Sequence, residues 1–211
     1  MPKNIFVTAI DTNMGKTITS AILVEALKAD YWKPIQAGDL KNSDKKKVKK
    51  LVSNKKSQFH PEAYALKMPA SPNISAAKQK VEIEIQKIQR PNTANNLVIE
   101  GAGGILVPIN QENFIFDLMK KEDYIILVSQ HYLGSINHTL LSLSYLQNHF
   151  SKIGLIFVGN KNKDSKKTIL SFAKNVSFLG EISTLKEINP QQIQKQSKKI
   201  KKSLNQFLST K

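Results

Sequence analysis

No cysteine occurs anywhere in this 211-residue chain. That excludes a disulfide framework, a thiolate zinc site and a Cys nucleophile, and it suits a reducing compartment. Long apolar runs are also missing. Nothing approaches the roughly 20 consecutive apolar residues that a membrane span needs, and the N-terminal run from Met1 to Ala9 lacks the charged region, apolar stretch and cleavage site of an exported precursor. The expectation is a cytoplasmic protein with no membrane partner. Acidic residues are scarce, 16 Asp and Glu against 32 Lys and Arg, for a formal net charge of +16. Such a balance favours anionic partners. Aromatic residues are few, however, and are hardly interleaved with the lysine tracts at 45–50, 55–56, 161–167 and 195–202. Without stacking platforms the tracts are expected to be solvated faces, with no nucleic acid bound.

What the chain does have is an alternation. Short apolar runs recur at Ile5-Phe6-Val7, Tyr31-Trp32, Leu97-Val98-Ile99, Tyr124 to Val128, Ile153 to Val158 and Val176 to Leu179. They are continuous rather than alternating, as buried parallel strands are. Helical spacing lies between them, for example Ile18, Ala21, Ile22, Val24 and Leu27 in an amphipathic helix, then Ile136, Leu140, Leu141, Leu143 and Leu146. The fold class expected is α/β, a P-loop NTPase-like parallel sheet with helices on both faces and ligands at the carboxyl ends of its strands. Residues 41–96, with four prolines, read as helices and excursions around a site. A last helix from about Gln191 would bury Ile193, Ile200, Leu204 and Phe207 and expose its lysines. No composition shift marks a boundary, so residues 1–211 are expected to form a single domain.

Four places carry chemistry. The run Ile5 to Thr17 is strand, loop and helix, ending Asn13-Met14-Gly15-Lys16-Thr17-Ile18. A loop feeding a helix N-terminus offers backbone N–H groups to phosphate, Lys16 can reach the β and γ oxygens, and the Thr17 hydroxyl can ligate Mg²⁺. The strict first-glycine position of the phosphate-loop pattern holds Ile10. Leu97 to Gly104 is a buried strand ending in Glu100 and a glycine-rich stretch that includes Gly103. Glu100 either faces a metal beside the phosphate loop or simply pairs with a lysine. Lys33 sits mid-strand in an apolar setting, where it needs an anion or lies on an edge and snorkels to solvent. Leu133-Gly134-Ser135-Ile136-Asn137-His138 opens a second helix, fit for an anion or an ordinary capped start.

Taken together, Thr8 to Thr17, Lys33-Pro34-Ile35-Gln36-Ala37-Gly38, Asn42-Ser43-Asp44, Val98 to Gly104 and Leu133 to His138 resemble the dethiobiotin synthetase family in order and spacing, from the N-terminus to about Ile182. The resemblance implies a homodimeric ligase using a nucleoside triphosphate, ATP, as co-substrate and Mg²⁺ as cofactor. Its partners would be 7,8-diaminononanoate and CO₂, joined through a carbamate and a carbamic-phosphoric anhydride to close the dethiobiotin ring. By matching position, Lys16 and Lys33 would neutralise the carbamate and the transferring phosphoryl group, with Thr12 beside the carbamate. Thr17, Asp44 and Glu100 would hold Mg²⁺. Residues Asn13 to Ile18, with Glu100 and Gly103, would surround the nucleotide, and Asn160 would read the base. Gly134, Ser135 and Asn137 would take the substrate carboxylate across the dimer.

Four positions depart from the family pattern. Ala9 stands at the usual first loop glycine and requires a negative φ; Asn13 replaces a glutamate; Ala37 replaces a serine near the carbamate; Ser183 replaces a proline beside the base, which leaves ATP, GTP and CTP open. The nearest rival is a partition or metal-centre-maturation ATPase of the same superfamily. Those carry a signature lysine where this chain has Asp11. A basic nucleic-acid module would leave the loop, Glu100 and Lys33 unexplained, and the glutamine-using amide-forming relatives need a cysteine that is absent.

Overall fold

A computed structural model describes residues 2–185 and 187–209; Met1, which opens the N-terminal run, lies outside them, as do Lys186, Thr210 and Lys211. The apolar runs become β1 (Asn4–Ala9), β2 (Asp30–Trp32), β5 (Leu97–Gly104), β6 (Tyr124–Gln130), β7 (Ile153–Gly159) and β8 (Ser177–Ser183). They form one six-stranded sheet in the order β2-β5-β1-β6-β7-β8, with every neighbouring pair parallel. Between β2 and β5 the chain makes β3 (Ile35–Ala37), α2 (Asp44–Leu51), β4 (Tyr64–Leu66) and α3 (Pro72–Lys78). Strands β3 and β4 pair as a small separate sheet. Helices α1 (Lys16–Leu27), α4 (Ser135–Gln147), α5 (Lys163–Phe172) and α6 (Pro190–Leu208) complete the fold.

Because side chains alternate along a strand, each run feeds two cores. Ile5, Val7 and Ala9 of β1, with Ile126 and Val128 of β6, pack under α1 and α6. Phe6, Ile125 and Leu127 pack on the opposite face with Leu143 and Leu146 of α4 and Ile169 of α5. Continuous apolar sequence is what two covered faces demand. Ile193, Ile200, Leu204 and Phe207 of α6 are buried as its periodicity predicts.

Three expectations need correction. Helix α1 is not amphipathic: residues 19–24 are all buried, because α6 and α2 cover the side turned away from the sheet. Leu141 is exposed although it shares the apolar spacing of α4. Lys33 is not within a strand; β2 ends at Trp32, since Pro34 has no N–H to continue a ladder. It does not snorkel either, being only 5% exposed.

Two buried carboxylates anchor the loops around this sheet. Asp123 receives Nη1 and Nη2 of Arg90, the chain's single arginine, each at 2.6 Å, and Arg90 also donates to the Leu118 carbonyl at 2.8 Å. Asp30 accepts from Thr93 Oγ1 at 2.6 Å, the Gln58 amide at 2.9 Å and Asn95 Nδ2 at 3.0 Å, with His60 Nε2 at 3.2 Å. Burial works against the Asp30 charge, but these donors outweigh it and hold its pKa below the usual carboxylate range.

Replacing Arg90 by Met should therefore cost about 3–5 kcal/mol in urea unfolding, since it strands Asp123 without a counter-charge. Arg90→Lys, which keeps the charge but not the fork, should recover only part of that loss. A depressed folded pKa contributes stability above the unfolded value of about 3.9 and loses it as pH falls through the folded value. Asp30→Asn should accordingly be less stable than wild type at about pH 7, with a deficit that shrinks as pH falls through the depressed folded pKa of Asp30, below which both side chains are neutral.

Candidate active site

The phosphate loop is pinned by hydrogen bonds to β6. The Ile10 amide donates to the Val128 carbonyl at 3.1 Å, and Gln130 Nε2 reaches the Asn13 carbonyl at 3.3 Å. Asn13 takes a left-handed φ of 60°, a region where Asn is among the tolerated residues. Gly15 has φ 87°, and a Cβ there would stand 2.8 Å from Val158 Cγ1, so the turn into α1 runs hard against the end of β7. Ala9 is not among the left-handed residues, which meets the condition its side chain sets.

Lys16 is 7% exposed, and its ammonium donates to the Asp11 carbonyl at 3.0 Å. Burial pushes its pKa down to about 8, against the pull of Glu100. A dehydrated ammonium at a helix N-terminus is strongly complementary to an arriving phosphate.

The second half of the site gathers on Glu100, only 1% exposed, which lies opposite Val7 in the β1–β5 ladder. Its Oε1 accepts from Thr17 Oγ1 at 2.9 Å and Lys33 Nζ at 3.2 Å; its Oε2 accepts from the Tyr31 hydroxyl at 2.9 Å. Lys33 also meets Asp44 Oδ2 at 2.6 Å, so one ammonium bridges both carboxylates. Burial opposes the Lys33 charge, yet Glu100 and Asp44 together raise its pKa above the ordinary lysine range. Asp44 itself is held in place by its amide, which donates to Gln36 Oε1 at 3.1 Å, and by Lys47 at 3.6 Å. Two carboxylates and a hydroxyl around a cation are a hard oxygen donor set. The fit to Mg²⁺ is good, because such a site needs one or two carboxylates plus substrate phosphates rather than a cage of three or more protein ligands.

Thr12, Asn13, Gly15, Lys16, Thr17, Ile18, Lys33, Asp44, Glu100 and Gly103 all line one cavity of about 1190 Å³. Met14 packs against the core instead. Gly103, with φ 69°, turns the chain beneath Thr12. Gly134, Ser135 and Asn137 do not line this cavity; they open α4, where Ser135 is buried against Tyr132 and the neighbouring Leu133 is fully exposed. Asn160 lies just past β7, outside the cavity lining, with its Oδ1 accepting the Thr184 hydroxyl at 3.1 Å.

Sequence inspection passed over several residues of this site. Tyr31 was visible only as a strand residue, although it stands two places before Lys33, on the same side of an extended run. Gln36, Asp39, Lys47 and Lys50 also line the cavity. Lys47 and Lys50 were hidden in a tract that reads as solvated.

Comparison with known proteins accords with this geometry. A family profile described as an AAA domain matches residues 3–192. The chain is 50% identical over 205 residues to an ATP-dependent dethiobiotin synthetase of Christiangramia forsetii, covering 97% of this chain and 99% of that one. It is 48% identical over 171 residues to the enzyme of that name from Cytophaga hutchinsonii, at 80% and 82% coverage, and 39% identical over 195 residues to that of Brucella ovis, at 92% of each. Similarity thus extends past Ile182 into the final helix. Among solved structures, a plasmid partition protein of Borrelia burgdorferi bound to AMPPNP superposes with TM-score 0.58 at 15% identity, covering 99% of each chain. A ParA family ATPase of Chlorobium tepidum gives 0.55 at 11%, covering 100% of this chain and 95% of that one. At such identities the two structures speak to fold alone, a P-loop parallel sheet with helices on both sides.

The Lys33–Glu100 pairing makes a stability prediction. Lys33→Met alone should cost about 3–5 kcal/mol in urea unfolding without nucleotide, because it leaves Glu100 charged and buried. In a Glu100→Gln background the same change should cost much less. Equal costs in the two backgrounds would mean that the pair is not coupled.

Proposed function

Since this chain belongs to the ATP-dependent dethiobiotin synthetase family and is a ligase of biotin synthesis, we propose that it closes the urea ring of 7,8-diaminononanoate with CO₂. One substrate amine takes up CO₂ as a carbamate and releases a proton. A carbamate oxygen attacks the γ-phosphorus of ATP and ADP leaves. The second amine then attacks the carbonyl of the mixed anhydride and expels phosphate. Every step moves negative charge, and none needs a protein nucleophile, so positioning and charge neutralisation carry the catalysis.

The single observation that most supports this is the convergence of Lys16, Lys33, Asp44 and Glu100 on a cavity larger than a drug-sized ligand needs. It has room for a nucleotide and a second substrate side by side. Backbone N–H groups of Asn13 to Ile18 cradle the phosphates, and Lys16 neutralises the β and γ oxygens. Thr17, Asp44 and Glu100 would hold Mg²⁺, which would offset the charge of the phosphates. Lys33, released from the carboxylates it bridges, turns to the carbamate beside Thr12, where Ala37 offers no hydroxyl. Asn160 reads the base.

We also infer a homodimer. Gly134, Ser135 and Asn137 lie off the cavity within one chain, and Tyr132 and Leu133 just before them and Leu141 further along α4 are exposed. An apolar rim around a helix N-terminus suits a second copy whose substrate carboxylate docks there. The working compartment is the cytoplasm, where ATP and bicarbonate are both supplied.

The test is phosphate release from MgATP and bicarbonate, with and without the diamine, and the product identified by mass. Diamine-dependent release with dethiobiotin as product is expected, falling on the order of a hundredfold or more in Lys16→Ala. Release indifferent to the diamine, with no cyclic urea, would turn the assignment toward a switch ATPase.

A further inference from the structure

We propose that Tyr31 is a positioning residue for the Glu100 carboxylate, orienting it toward Thr17 and the cation that these residues hold; this rests on the reading of Glu100 as a metal-holding group. Tyr31 is fully buried, and its hydroxyl donates to Glu100 Oε2 at 2.9 Å. The other oxygen, Oε1, faces the site and takes Thr17 and Lys33. The carboxylate is thereby divided, one oxygen tied to the protein behind it and one presented to the cavity. Such an outer hydrogen bond fixes the plane of a ligating carboxylate.

The phenol is itself held firmly. Tyr31 pairs with Val98 in the β2–β5 ladder, two residues before Glu100, so Val98 and Glu100 lie on the same face of β5. Its amide donates to the Gln58 carbonyl at 2.8 Å, and its carbonyl accepts from the His60 amide at 2.9 Å. Its ring lies against Phe59, centroids 6.2 Å apart. Nothing in this arrangement needs a hydroxyl for packing. Phenylalanine would fill the same space, and the oxygen is explained by Glu100.

Tyr31→Phe removes only that oxygen. Mn²⁺ in place of Mg²⁺, with a non-hydrolysable ATP analogue, lets metal affinity be read from the free-Mn²⁺ paramagnetic resonance signal, independent of turnover. The expected result is Mn²⁺ binding about 10–100-fold weaker in Tyr31→Phe than in wild type, with no further weakening when the change is added to Glu100→Gln. Para-fluorophenylalanine at position 31, which fills the phenol's volume without a donor, should behave like Phe and serves if Tyr31→Phe does not fold. A merely structural hydroxyl would lower the urea midpoint and leave Mn²⁺ affinity unchanged, which would overturn the proposal. Wild-type protein that binds the analogue but captures no Mn²⁺ would overturn the metal reading itself, and this inference with it.

Discussion

Glu100 is a carboxylate buried to 1% exposure near the end of a central strand, and most of the site can be understood as the answer to that one costly group. An isolated ionised carboxylate in such a place would lose its charge rather than keep it. Here Lys33 supplies a counter-charge, and Thr17 and Tyr31 donate to the Glu100 oxygens. Lys33 in turn needs Asp44, and Asp44 is held by Gln36 and Lys47. The chain of dependence runs from β5 through the segment after β2 to the start of α2, and ties three separate stretches of sequence into one electrostatic unit.

That unit and the phosphate loop are complementary in charge. On one side is a turn of backbone N–H groups with Lys16, whose ammonium burial has weakened to a pKa of about 8. On the other is a pair of carboxylates held by an internal ammonium. A nucleotide's phosphates suit the first half and a divalent cation the second. The two halves meet because β1 and β5 are hydrogen-bonded neighbours in a parallel sheet, so that their carboxyl ends open on the same side.

The helices around the sheet pack close to this opening. Helix α1 is buried nearly all round, and the turn into it at Gly15 runs against Val158. The lysine tracts of α2 and α6 follow a different rule. Their apolar positions are buried in register with the helical period while most of their lysines stay in solvent, but Lys47 and Lys50 turn onto the cavity wall.

Much of this was legible in the amino-acid order. Continuous apolar runs specified buried parallel strands, the Gly15-Lys16-Thr17 run specified the turn from β1 into α1, and the combined motifs specified the family, because each depends on local spacing and on the period of strand or helix. Local spacing could not decide whether Glu100 faces a metal or a lysine. It faces the lysine, because β2 pairs with β5 and the segment after β2 carries Lys33, and then Asp44 at the start of α2, to its side. Nor could it reveal Tyr31 as a partner of Glu100, or that the strand stops at Trp32 because Pro34 cannot extend the ladder. The sequence by itself determined which residues carry charge, donors and apolar surface, and roughly where the chain turns. Only the tertiary structure decided which of them meet, because a contact between residues 31, 33, 44 and 100 depends on sheet register and not on their distance along the chain.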